Sequence, residues 1–469
     1  MENRMGRLKI VGIGPGDRAL RTTAAEEAIR GADFVVGYKP YLDLIADLLP
    51  GKKVISGSMG KEVDRVREAL DLLQEGSVAL VSSGDPNVYG MAGLGLEMAE
   101  DPAKVEIVPG VTSFTAAACR AGVTFRECVA VISLSDLLTP WGGIEGRLAA
   151  ASQLRMPIAL YNPRSMRRDW QLRHALEIYG EADALVARNV GRENEETLWT
   201  TSKRLIDDDS LWQRIDMTTL VILCKEGVFR GEASANGAGV NIVGIGPGDR
   251  RHLTREAESI LCKSEKIYGA QRYLQLIGDL TTGEKVTHSG PCPERMAARF
   301  REAADLARSG KKASILTGGD PSIFSSGWRI MDQARGTVPV HISPGVSAFS
   351  SAAAAAGAPL VGDFALLSQP GKPQAASFLA GAGFAVAIYN VNGHEIAPIL
   401  QEIDPDRPCA LARDVAREGE EMTIMTAGDL LAAKPSGFRF TLLIASSSSF
   451  IKCDRIITRR GYENKYNYQ

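Results

Sequence analysis

The amino-acid sequence predicts an α/β fold built as a tandem duplication of one domain. The first observation is that VGIGPGD occurs twice, at Val11–Asp17 and at Val243–Asp249. The second is that each copy alternates short apolar runs with stretches of helical composition, as α/β domains do. Four further motif pairs keep one order in both copies: GDP at Gly84–Pro86 and Gly319–Pro321, PGV at Pro109–Val111 and Pro344–Val346, YN at Tyr161–Asn162 and Tyr389–Asn390, and ARNVGRENEET at Ala187–Thr197 against ARDVAREGEEM at Ala412–Met422.

The elements of the first copy follow one another as strand, turn and helix. An apolar run that ends in glycines predicts a strand, and a run with apolar residues at helical spacing predicts a helix. The alternation predicts mostly parallel sheets flanked by helices. In chain order, the runs that carry this prediction are LKIVGIG (Leu8–Gly14), LRTTAAEEAIRGA (Leu20–Ala32), DFVVG (Asp33–Gly37), VDRVREALDLLQEG (Val63–Gly76), VALVSSGDP (Val78–Pro86), VEIVPGVTS (Val105–Ser113), TAAACRAG (Thr115–Gly122), VAVISL (Val129–Leu134), PIALYN (Pro157–Asn162), ALVAR (Ala184–Arg188) and TTLVIL (Thr218–Leu223).

Length and motif spacing predict where the two copies begin and end. A chain of 469 residues favours two or more domains. The stretch GVFRGEASANGAG is rich in Gly, Ala, Ser and Asn, a composition typical of a flexible linker. We therefore predict a first domain at residues 7–229, a linker at 230–239 and a second domain at 240–469. These two domains are called the first half and the second half below.

Composition excludes several classes of partner. Hydrophobic residues make up 45%, charged residues 23%, and the net charge is −2, so we expect no nucleic acid as the main partner. No run approaches the roughly 18 apolar residues that a membrane span needs, and no signal peptide is evident. The seven cysteines are scattered without a C-x-x-C pair, and the five histidines show no ligand spacing. We expect a cytoplasmic protein with reduced thiols, no membrane segment and no metal site of its own.

The opening loop raises the question of a dinucleotide site. A full G-x-G-x-x-G pattern needs glycine at the position of Asp17, and Pro15 removes a backbone N–H that a phosphate would use. A nicotinamide-dependent oxidoreductase is therefore disfavoured. Because the repeated motifs all follow predicted strands, they can converge on a cleft at the carboxyl ends of the sheet. We expect a polar ligand there that carries no phosphate.

Seven stretches of the first half form a more specific pattern: VGIGPGD, VVGYKPYLDLI (Val35–Ile45), VSSGDPNVYGMAG (Val81–Gly93), VPGVTS (Val108–Ser113), VISLSDLLTPW (Val131–Trp141), YNPRS (Tyr161–Ser165) and RNVGRENEE (Arg188–Glu196). Through these stretches the first half resembles the C17-methyltransferase branch of the tetrapyrrole methylase family, whose members transfer methyl groups in corrin synthesis. The second half resembles the same family through its loops and its ending IITRRGYENKY (Ile456–Tyr466), but lacks the branch-specific stretches: it has IYGAQRYL, LLSQPGKP and YNVNG in their place.

The resemblance implies a two-lobed domain that binds S-adenosyl-L-methionine between its lobes and releases S-adenosyl-L-homocysteine. It further implies methylation at C17 of a precorrin-3B or cobalt-precorrin-3 type tetrapyrrole with ring contraction, so any cobalt would arrive with the substrate. The residues at the matching positions of the first half are Pro15, Gly84, Asp85, Val88, Thr112, Ser113, Tyr161, Asn162, Asn189 and Val190. Those of the second half are Pro247, Gly319, Asp320, Ser347, Ala348, Tyr389 and Asn390.

Methyl transfer with ring contraction needs a base or acid near the substrate, and the substrate is a polycarboxylate. The candidates for the base or acid are Tyr38, Lys39, Ser135 and Asp136, although Asp136 could instead cap a helix that starts at Leu137. Arginine forks match carboxylates, so Arg164, Arg167 and Arg168 are the candidate substrate-binding residues, with an exposed charged turn as the alternative.

The role of the second half stays open at this point. It could be a catalytically silent partner that completes a dimer-like interface, since by resemblance the family works as homodimers. It could instead methylate another position, which would make the chain bifunctional. The persistence of the cofactor-side motifs in both halves, with loss of the substrate-side stretches from the second, favours an internal pseudo-dimer in which the first half carries the chemistry. Further self-association is compatible with either case.

Overall fold

A computed structural model of the chain describes residues 6–165, 168–234, 239–368 and 373–466. Each half consists of an amino-terminal lobe with a parallel sheet and a carboxy-terminal lobe whose sheet is shared with the other half. Within these ranges, five single-turn 3-10 helices lie in the connections, at Arg18–Leu20, Ala46–Leu48, Leu72–Gln74, Pro102–Lys104 and Arg250–His252.

The amino-terminal lobe of the first half is a five-stranded parallel sheet in the order β3-β2-β4-β1-β5. Its strands are β1 (Leu8–Gly12), β2 (Phe34–Tyr38), β3 (Lys53–Gly57), β4 (Val78–Ser82) and β5 (Val105–Val108). Its helices are α1 (Thr23–Gly31), α2 (Lys39–Asp43), α3 (Glu62–Asp71), α4 (Ala92–Met98) and α5 (Ser113–Arg120). Threonine caps start two of them, because the hydroxyls of Thr22 and Thr112 accept from backbone N–H groups of the first turn of α1 and α5.

The carboxy-terminal lobe of the first half follows directly. Its strands are β6 (Val123–Phe125), β7 (Cys128–Ser133), β8 (Ile158–Tyr161), β9 (Asp183–Arg188), β10 (Glu196–Thr201), β11 (Thr219–Cys224) and β12 (Val228–Arg230). Its helices are α6 (Trp141–Gln153), α7 (Trp170–Tyr179), α8 (Ser202–Asp207) and α9 (Asp209–Trp212).

The second half repeats this plan. Its amino-terminal lobe has the strand order β15-β14-β16-β13-β17, again all parallel. The strands of this lobe are β13 (Val240–Gly244), β14 (Lys266–Tyr268), β15 (Glu284–Val286), β16 (Ala313–Thr317) and β17 (Val340–Ser343). The later strands of the second half are β18 (Phe364–Ser368), β19 (Ala385–Val391), β20 (Pro408–Arg413), β21 (Glu421–Thr426), β22 (Phe440–Ile444), β23 (Ser449–Lys452) and β24 (Arg455–Thr458). The helices are α10 (Arg255–Cys262), α11 (Gln271–Ile277), α12 (Cys292–Arg308), α13 (Gly327–Ala334), α14 (Ala348–Ala356), α15 (Pro373–Gly381), α16 (Gly393–Leu400) and α17 (Ala427–Ala433).

A single ten-stranded sheet crosses from one half to the other in the order β10-β9-β11-β8-β7-β18-β19-β22-β20-β21. The seam is the antiparallel pairing of β7 with β18, in which Val131 lies opposite Phe364. Beneath it, Phe114 of the first half packs against Phe349 of the second with ring centres 6.3 Å apart. Burial of these aromatic side chains makes the contact between the halves a continuation of the core.

The end of each half packs against the other half. Strand β12 pairs with β6, while Phe229 at its centre is buried in the apolar core of the second amino-terminal lobe. In the opposite direction, β24 buries Ile457 against the first lobe, in one cluster with Leu8 and Ile10. The predicted linker is also hydrogen-bonded to the second half, because the N–H of Ser234 donates to the carbonyl oxygen of Val340 at 2.6 Å. The exact boundaries predicted for the two domains stay a prediction.

The structure confirms the predicted fold class, an α/β protein made by duplication. The predicted parallel sheets are those of the two amino-terminal lobes. The shared sheet differs, because only β7–β8 and β18–β19 pair parallel in it and its other pairings are antiparallel. An apolar run of strand length does not encode the direction of its neighbour, which is why the sequence could not separate the two cases. Among the described helices, none is both long and apolar enough to cross a bilayer; the cytoplasmic location stays a prediction.

Candidate functional site

The GPGD turn after β1 is joined to the GDP turn after β4 by a pair of backbone hydrogen bonds. The N–H of Gly84 donates to the carbonyl of Gly14 at 2.8 Å, and the N–H of Gly14 donates back at 3.2 Å. Gly14 has φ +75 and Gly84 has φ +66, a region that glycine enters without strain. Two loops from neighbouring strands are thus fused into one edge of a cleft.

Asp85 holds this edge to the PGV loop. One oxygen of its carboxylate accepts from the N–H of Asn87 at 2.8 Å, and the other accepts from the N–H of Gly110 at 3.0 Å. The side chain is 1% exposed. Burial raises the pKa of the Asp85 carboxyl to about 7, although both N–H donors favour the charged form. The arrangement makes Asp85 a residue that positions loops; its predicted direct contact with a cofactor stays a prediction.

The start of α5 meets the end of β8. The hydroxyl oxygen of Tyr161 accepts from the N–H of Phe114 and from the hydroxyl of Ser113, both at 3.1 Å. Asn162 follows with φ +51, and its amide donates to the hydroxyl of Ser133 at 3.0 Å. Burial raises the pKa of Tyr161 to about 12, so the phenol stays neutral at physiological pH. The predicted residues Ser113, Tyr161 and Asn162 are therefore brought together where the two lobes meet.

The two lobes are also tied together across the GPGD turn. The guanidinium of Arg192 donates to the carbonyl oxygen of Pro15 at 2.9 Å. Gly191 lies so close to this turn that a Cβ there would stand 2.9 Å from the ring of Pro15. The preceding residues are the predicted pair Asn189, with φ +52, and Val190, which is buried.

The second half reproduces this scaffold. Gly246 and Gly319 exchange backbone hydrogen bonds, and the buried Asp320 accepts from the N–H of Gly345 at 3.1 Å. Arg417 donates to the carbonyl oxygen of Pro247 at 2.6 Å. The remaining predicted positions follow the first half: the hydroxyl of Tyr389 accepts from the N–H of Phe349 at 2.8 Å, Ser347 is the residue before α14, Ala348 begins that helix, and Asn390 has φ +57.

A cleft of about 490 Å³ opens beside the first-half scaffold. Both halves contribute to its lining: Tyr89, Ser133, Ser135 and Asn162 come from the first half, and Asp363 comes from the second. The loop before α6 and a later stretch complete the lining. We call that later stretch, residues 458–466, the covering segment.

A polar network forms the floor of this cleft. The phenol of Tyr89 donates to one oxygen of Asp363 at 2.7 Å, and the N–H of Ser133 donates to the same oxygen at 2.9 Å. The guanidinium of Arg147 binds the other oxygen at 2.9 Å and also donates to the carbonyl of Gly383. Burial, with the neighbouring Asp363 carboxylate, raises the pKa of Tyr89 well above its usual value. Three elements from both lobes of the first half therefore converge on one buried carboxylate of the second half.

The second half lacks the phenol of this network. Phe324 follows Asp320 by four residues, as Tyr89 follows Asp85, and both have φ near +50. The ring of Phe324 lies 5.2 Å from that of Tyr389, just as the ring of Tyr89 lies 5.1 Å from that of Tyr161. The aromatic packing is kept, but the hydroxyl is not.

The four predicted catalytic residues lie in different places: one lines the cleft, one lies in an exposed turn, and two lie outside the cleft lining. Ser135 lines the cleft and its hydroxyl accepts from Arg168 at 2.8 Å. Asp136 is exposed in a turn and accepts from the amide of Gln171 at 3.0 Å; no helix begins at Leu137, because α6 starts only at Trp141. Tyr38 and Lys39 lie outside the cleft lining: Tyr38 packs against Tyr41, and Lys39 is exposed and paired with Asp43 at 3.2 Å.

The arginines of the predicted substrate-binding cluster also lie in different environments. Arg164 is engaged within its own lobe, where it pairs with Asp169 and donates to the carbonyl oxygen of Trp212 at 2.9 Å. Arg168 points to Ser135, and burial lowers the pKa of its guanidinium. The geometry thus favours Arg168 over Arg164 as a group near the cleft. Arg167 falls outside the described residues.

Sequence reasoning missed the network of Tyr89, Arg147 and Asp363. The one signal for it was the exchange of Tyr89 for Phe324 between otherwise matching loops. No sequence pattern pointed to Asp363, because it lies in the second half and contacts the cleft of the first. Within residues 6–165, 168–234, 239–368 and 373–466, no group of three or more His, Cys, Asp or Glu side chains could hold a metal ion.

Comparison with known proteins identifies the family. A family model described as "Tetrapyrrole (Corrin/Porphyrin) Methylases" matches residues 7–206 and 239–431. The chain therefore belongs to the tetrapyrrole methylases, and it carries that domain twice.

Two relatives indicate by sequence identity which branch the chain is similar to, and one solved structure matches at a lower level. The cobalamin biosynthesis protein CbiHC of Archaeoglobus fulgidus is 42% identical over 225 residues, which are 46% of this chain and 49% of that protein. A probable cobalt-factor III C(17)-methyltransferase of Salmonella typhimurium is 41% identical over 231 residues, which are 47% of this chain and 94% of that protein. The crystal structure of the methyltransferase CobJ is 33% identical with a TM-score of 0.42, and the match covers 47% of this chain and 95% of that one. The chain spans about half the length of the first of these relatives, and each match covers about half of this chain.

Proposed function

We propose that the first half is an S-adenosylmethionine-dependent C-methyltransferase acting on C17 of a precorrin-3B or cobalt-precorrin-3 type tetrapyrrole with ring contraction. The observation that carries the proposal is the composite polar cleft, which Tyr89, Ser133, Ser135 and Asn162 of the first half and Asp363 of the second half line. The relatives named as cobalt-factor III C17-methyltransferases support it, as do the branch-specific stretches SDLLTPW and YNPRS, which both lie in the first half.

The groups around the first-half loops fit S-adenosylmethionine. They are hydroxyls, amides and backbone N–H and C=O groups, such as those of Ser113, Asn162 and Pro15, without a cluster of cationic side chains. Such a set suits a nucleoside with no phosphate. When bound, S-adenosylmethionine would supply a methyl group already activated by the sulfonium.

The task of the chain is then to align donor and acceptor and to manage one proton. Asp85 fixes the loops that would frame the donor. Ser135 and Arg168 present a hydroxyl and a guanidinium at the cleft, and the floor network holds the lobes at a set distance. Because the pKa of Tyr89 is raised, its phenol acts here as a hydrogen-bond donor and not as a base.

A bifunctional enzyme is the second candidate, in which the second half methylates another position. The complete scaffold around Asp320 favours it, and Phe324 argues against the same chemistry in both halves. In either case the two halves act as an internal pseudo-dimer.

The test uses the full chain with S-adenosylmethionine that carries an isotopically labelled methyl group. Metal-free and cobalt-bearing tetrapyrrole substrates are assayed separately, and the products are weighed by mass spectrometry. We expect one labelled methyl group in a ring-contracted product from one of the two substrates. Thermal protection by S-adenosylmethionine and not by NAD is the control for the cofactor. Transfer of no label to either substrate would refute the proposed function.

A further inference from the structure

The covering segment spans the mouth of the first-half cleft and contacts both lobes of that half. Tyr462 and Tyr466 pack against the core of the first amino-terminal lobe, and the phenol of Tyr466 donates to the carbonyl oxygen of Gly60 at 3.5 Å. On the other side, Gly461 has φ +89 and lies so close to the loop before α6 that a Cβ would stand 2.6 Å from the carbonyl oxygen of Leu138. The segment is therefore a fitted wall of the cleft.

Arg460 is a cationic group of this wall that can bind a ligand. It lines the cleft, half-buried, with its guanidinium carbon 5.6 Å from the ring centre of Tyr89. Among the described residues, no carboxylate forms an ion pair with it. By contrast, the adjacent Arg459 pairs with Glu97 at 3.5 Å, and Arg147 pairs with Asp363 at 2.9 Å.

The charges of the cleft leave a positive surplus. Glu62 pairs with Arg65 at 3.4 Å, and the pairs of Arg147 and Arg459 are internally compensated. Arg460 and Lys465 then stand against the single carboxylate of Glu463. A partly desolvated guanidinium beside an aromatic face gains most from a planar anion that accepts two hydrogen bonds.

We propose that Arg460 binds a carboxylate of the tetrapyrrole, so that the second half completes the substrate site of the first. The identity of the substrate class rests on the proposed function; the anion site itself rests on the unpaired guanidinium and the composite cleft. This assigns substrate recognition to a segment outside the arginine cluster at 164–168.

The test measures binding of uroporphyrin, a tetrapyrrole octacarboxylate, to the full-length protein by fluorescence titration, with its octamethyl ester as the uncharged probe. Arg460→Gln should weaken uroporphyrin binding about tenfold, equivalent to about 1.4 kcal/mol. Arg460→Lys should restore part of the loss, because it keeps the charge and not the fork. Lys452→Gln, a change on the β23 strand away from the cleft, is the matched control and should bind like the parent.

Three outcomes overturn the inference: equal binding by the parent and Arg460→Gln, equal loss with Lys452→Gln, or tighter binding by Arg460→Gln, which would make the segment a plug. S-adenosylmethionine affinity, unchanged in all variants, verifies that each has folded. The assay is independent of turnover. Arg460-dependent binding in a protein that transfers no methyl group would refute the proposed function alone, and methyl transfer that is indifferent to Arg460→Gln would refute the inference alone.

Discussion

The phenol of Tyr89 donates a 2.7 Å hydrogen bond to Asp363, a residue 274 positions further along the chain and in the other half. The same carboxylate accepts from the N–H of Ser133 and pairs with Arg147. The second half thus reaches into the cleft of the first as a structural part of it. Loss of that carboxylate should affect the first half, although the substitution lies in the second.

Asp363→Asn should lower the free energy of unfolding by about 3 kcal/mol, because it leaves the largely buried guanidinium of Arg147 without its charge partner. We also expect methyl transfer to fall at least tenfold with unchanged S-adenosylmethionine affinity. Urea unfolding and steady-state kinetics check the two parts. Asp332→Asn, which removes an exposed pair with Arg335, is the control and should change neither. A stability loss confined to the control would contradict this reading of the network.

Tyr89→Phe gives the first half the residue type that the second half has at the matching position, Phe324. Removing the hydroxyl deletes one hydrogen bond to a charged acceptor, worth about 1.5–3 kcal/mol. We expect lower turnover with the aromatic packing on Tyr161 preserved. The reciprocal change, Phe324→Tyr, should leave C17 methylation at the parental rate. If the reciprocal change alone lowers turnover, the first half is not the site of this chemistry.

Asp85→Ala and Asp320→Ala form a matched pair, since each carboxylate holds the same two loops of its own half. Both variants should lose comparable stability, because each leaves buried N–H donors unpaired. Their activities should differ: Asp85→Ala should weaken S-adenosylmethionine binding tenfold or more and abolish turnover, and Asp320→Ala should keep most of it. Calorimetric titration and the methylation assay provide the measurements. Equal loss of turnover would mean that both halves work on this substrate.

Arg168→Gln should raise the KM for the tetrapyrrole several-fold, because its guanidinium points to Ser135 at the cleft. Arg164→Gln should instead act on stability, since Arg164 pairs with Asp169 and stacks on Trp212. S-adenosylmethionine affinity should stay constant in both. A KM effect from Arg164→Gln with none from Arg168→Gln would reverse the assignment.

The pH dependence of stability should report on His341. Burial alone would lower its pKa, but Glu256 at 3.3 Å and the carbonyl oxygen of Ser234 raise it. A histidine with a raised folded-state pKa contributes stability that is present below its unfolded value near 6.5 and is lost as pH rises through the folded value. The free-energy difference between the parent and His341→Gln should therefore be largest at pH 5.5 to 6 (about one unit below the unfolded value) and shrink towards pH 8. A free-energy difference for His341→Gln that stays constant with pH would count against the ion pair.

The sequence predicted the duplication because the turns repeat letter for letter, and turn geometry is local. Gly84 and Gly319 adopt the same positive φ for the same reason, which pattern reading could anticipate. The hydrogen-bond partners of these turns were harder to predict from the sequence. The contact of Asp85 with a cofactor stays a prediction, and the sequence did not predict its hydrogen bonds with the N–H groups of Asn87 and Gly110, because that pairing depends on how two strands align. Arg460 and Asp363 were missed because they act across the seam, where sequence distance carries no information about proximity.

The pairing of β7 with β18 has a consequence for synthesis of the chain. Strand β7 ends at Ser133 and its partner begins at Phe364, so about 230 residues must be made before the two can meet. At elongation rates of about 5–20 residues per second, that interval is roughly 10–50 s. During it, the first half has an open, apolar β-edge, the kind of surface on which nascent chains on neighbouring ribosomes can associate. Joining both halves in one polypeptide guarantees each copy of that edge its own complement, at a fixed time after it emerges.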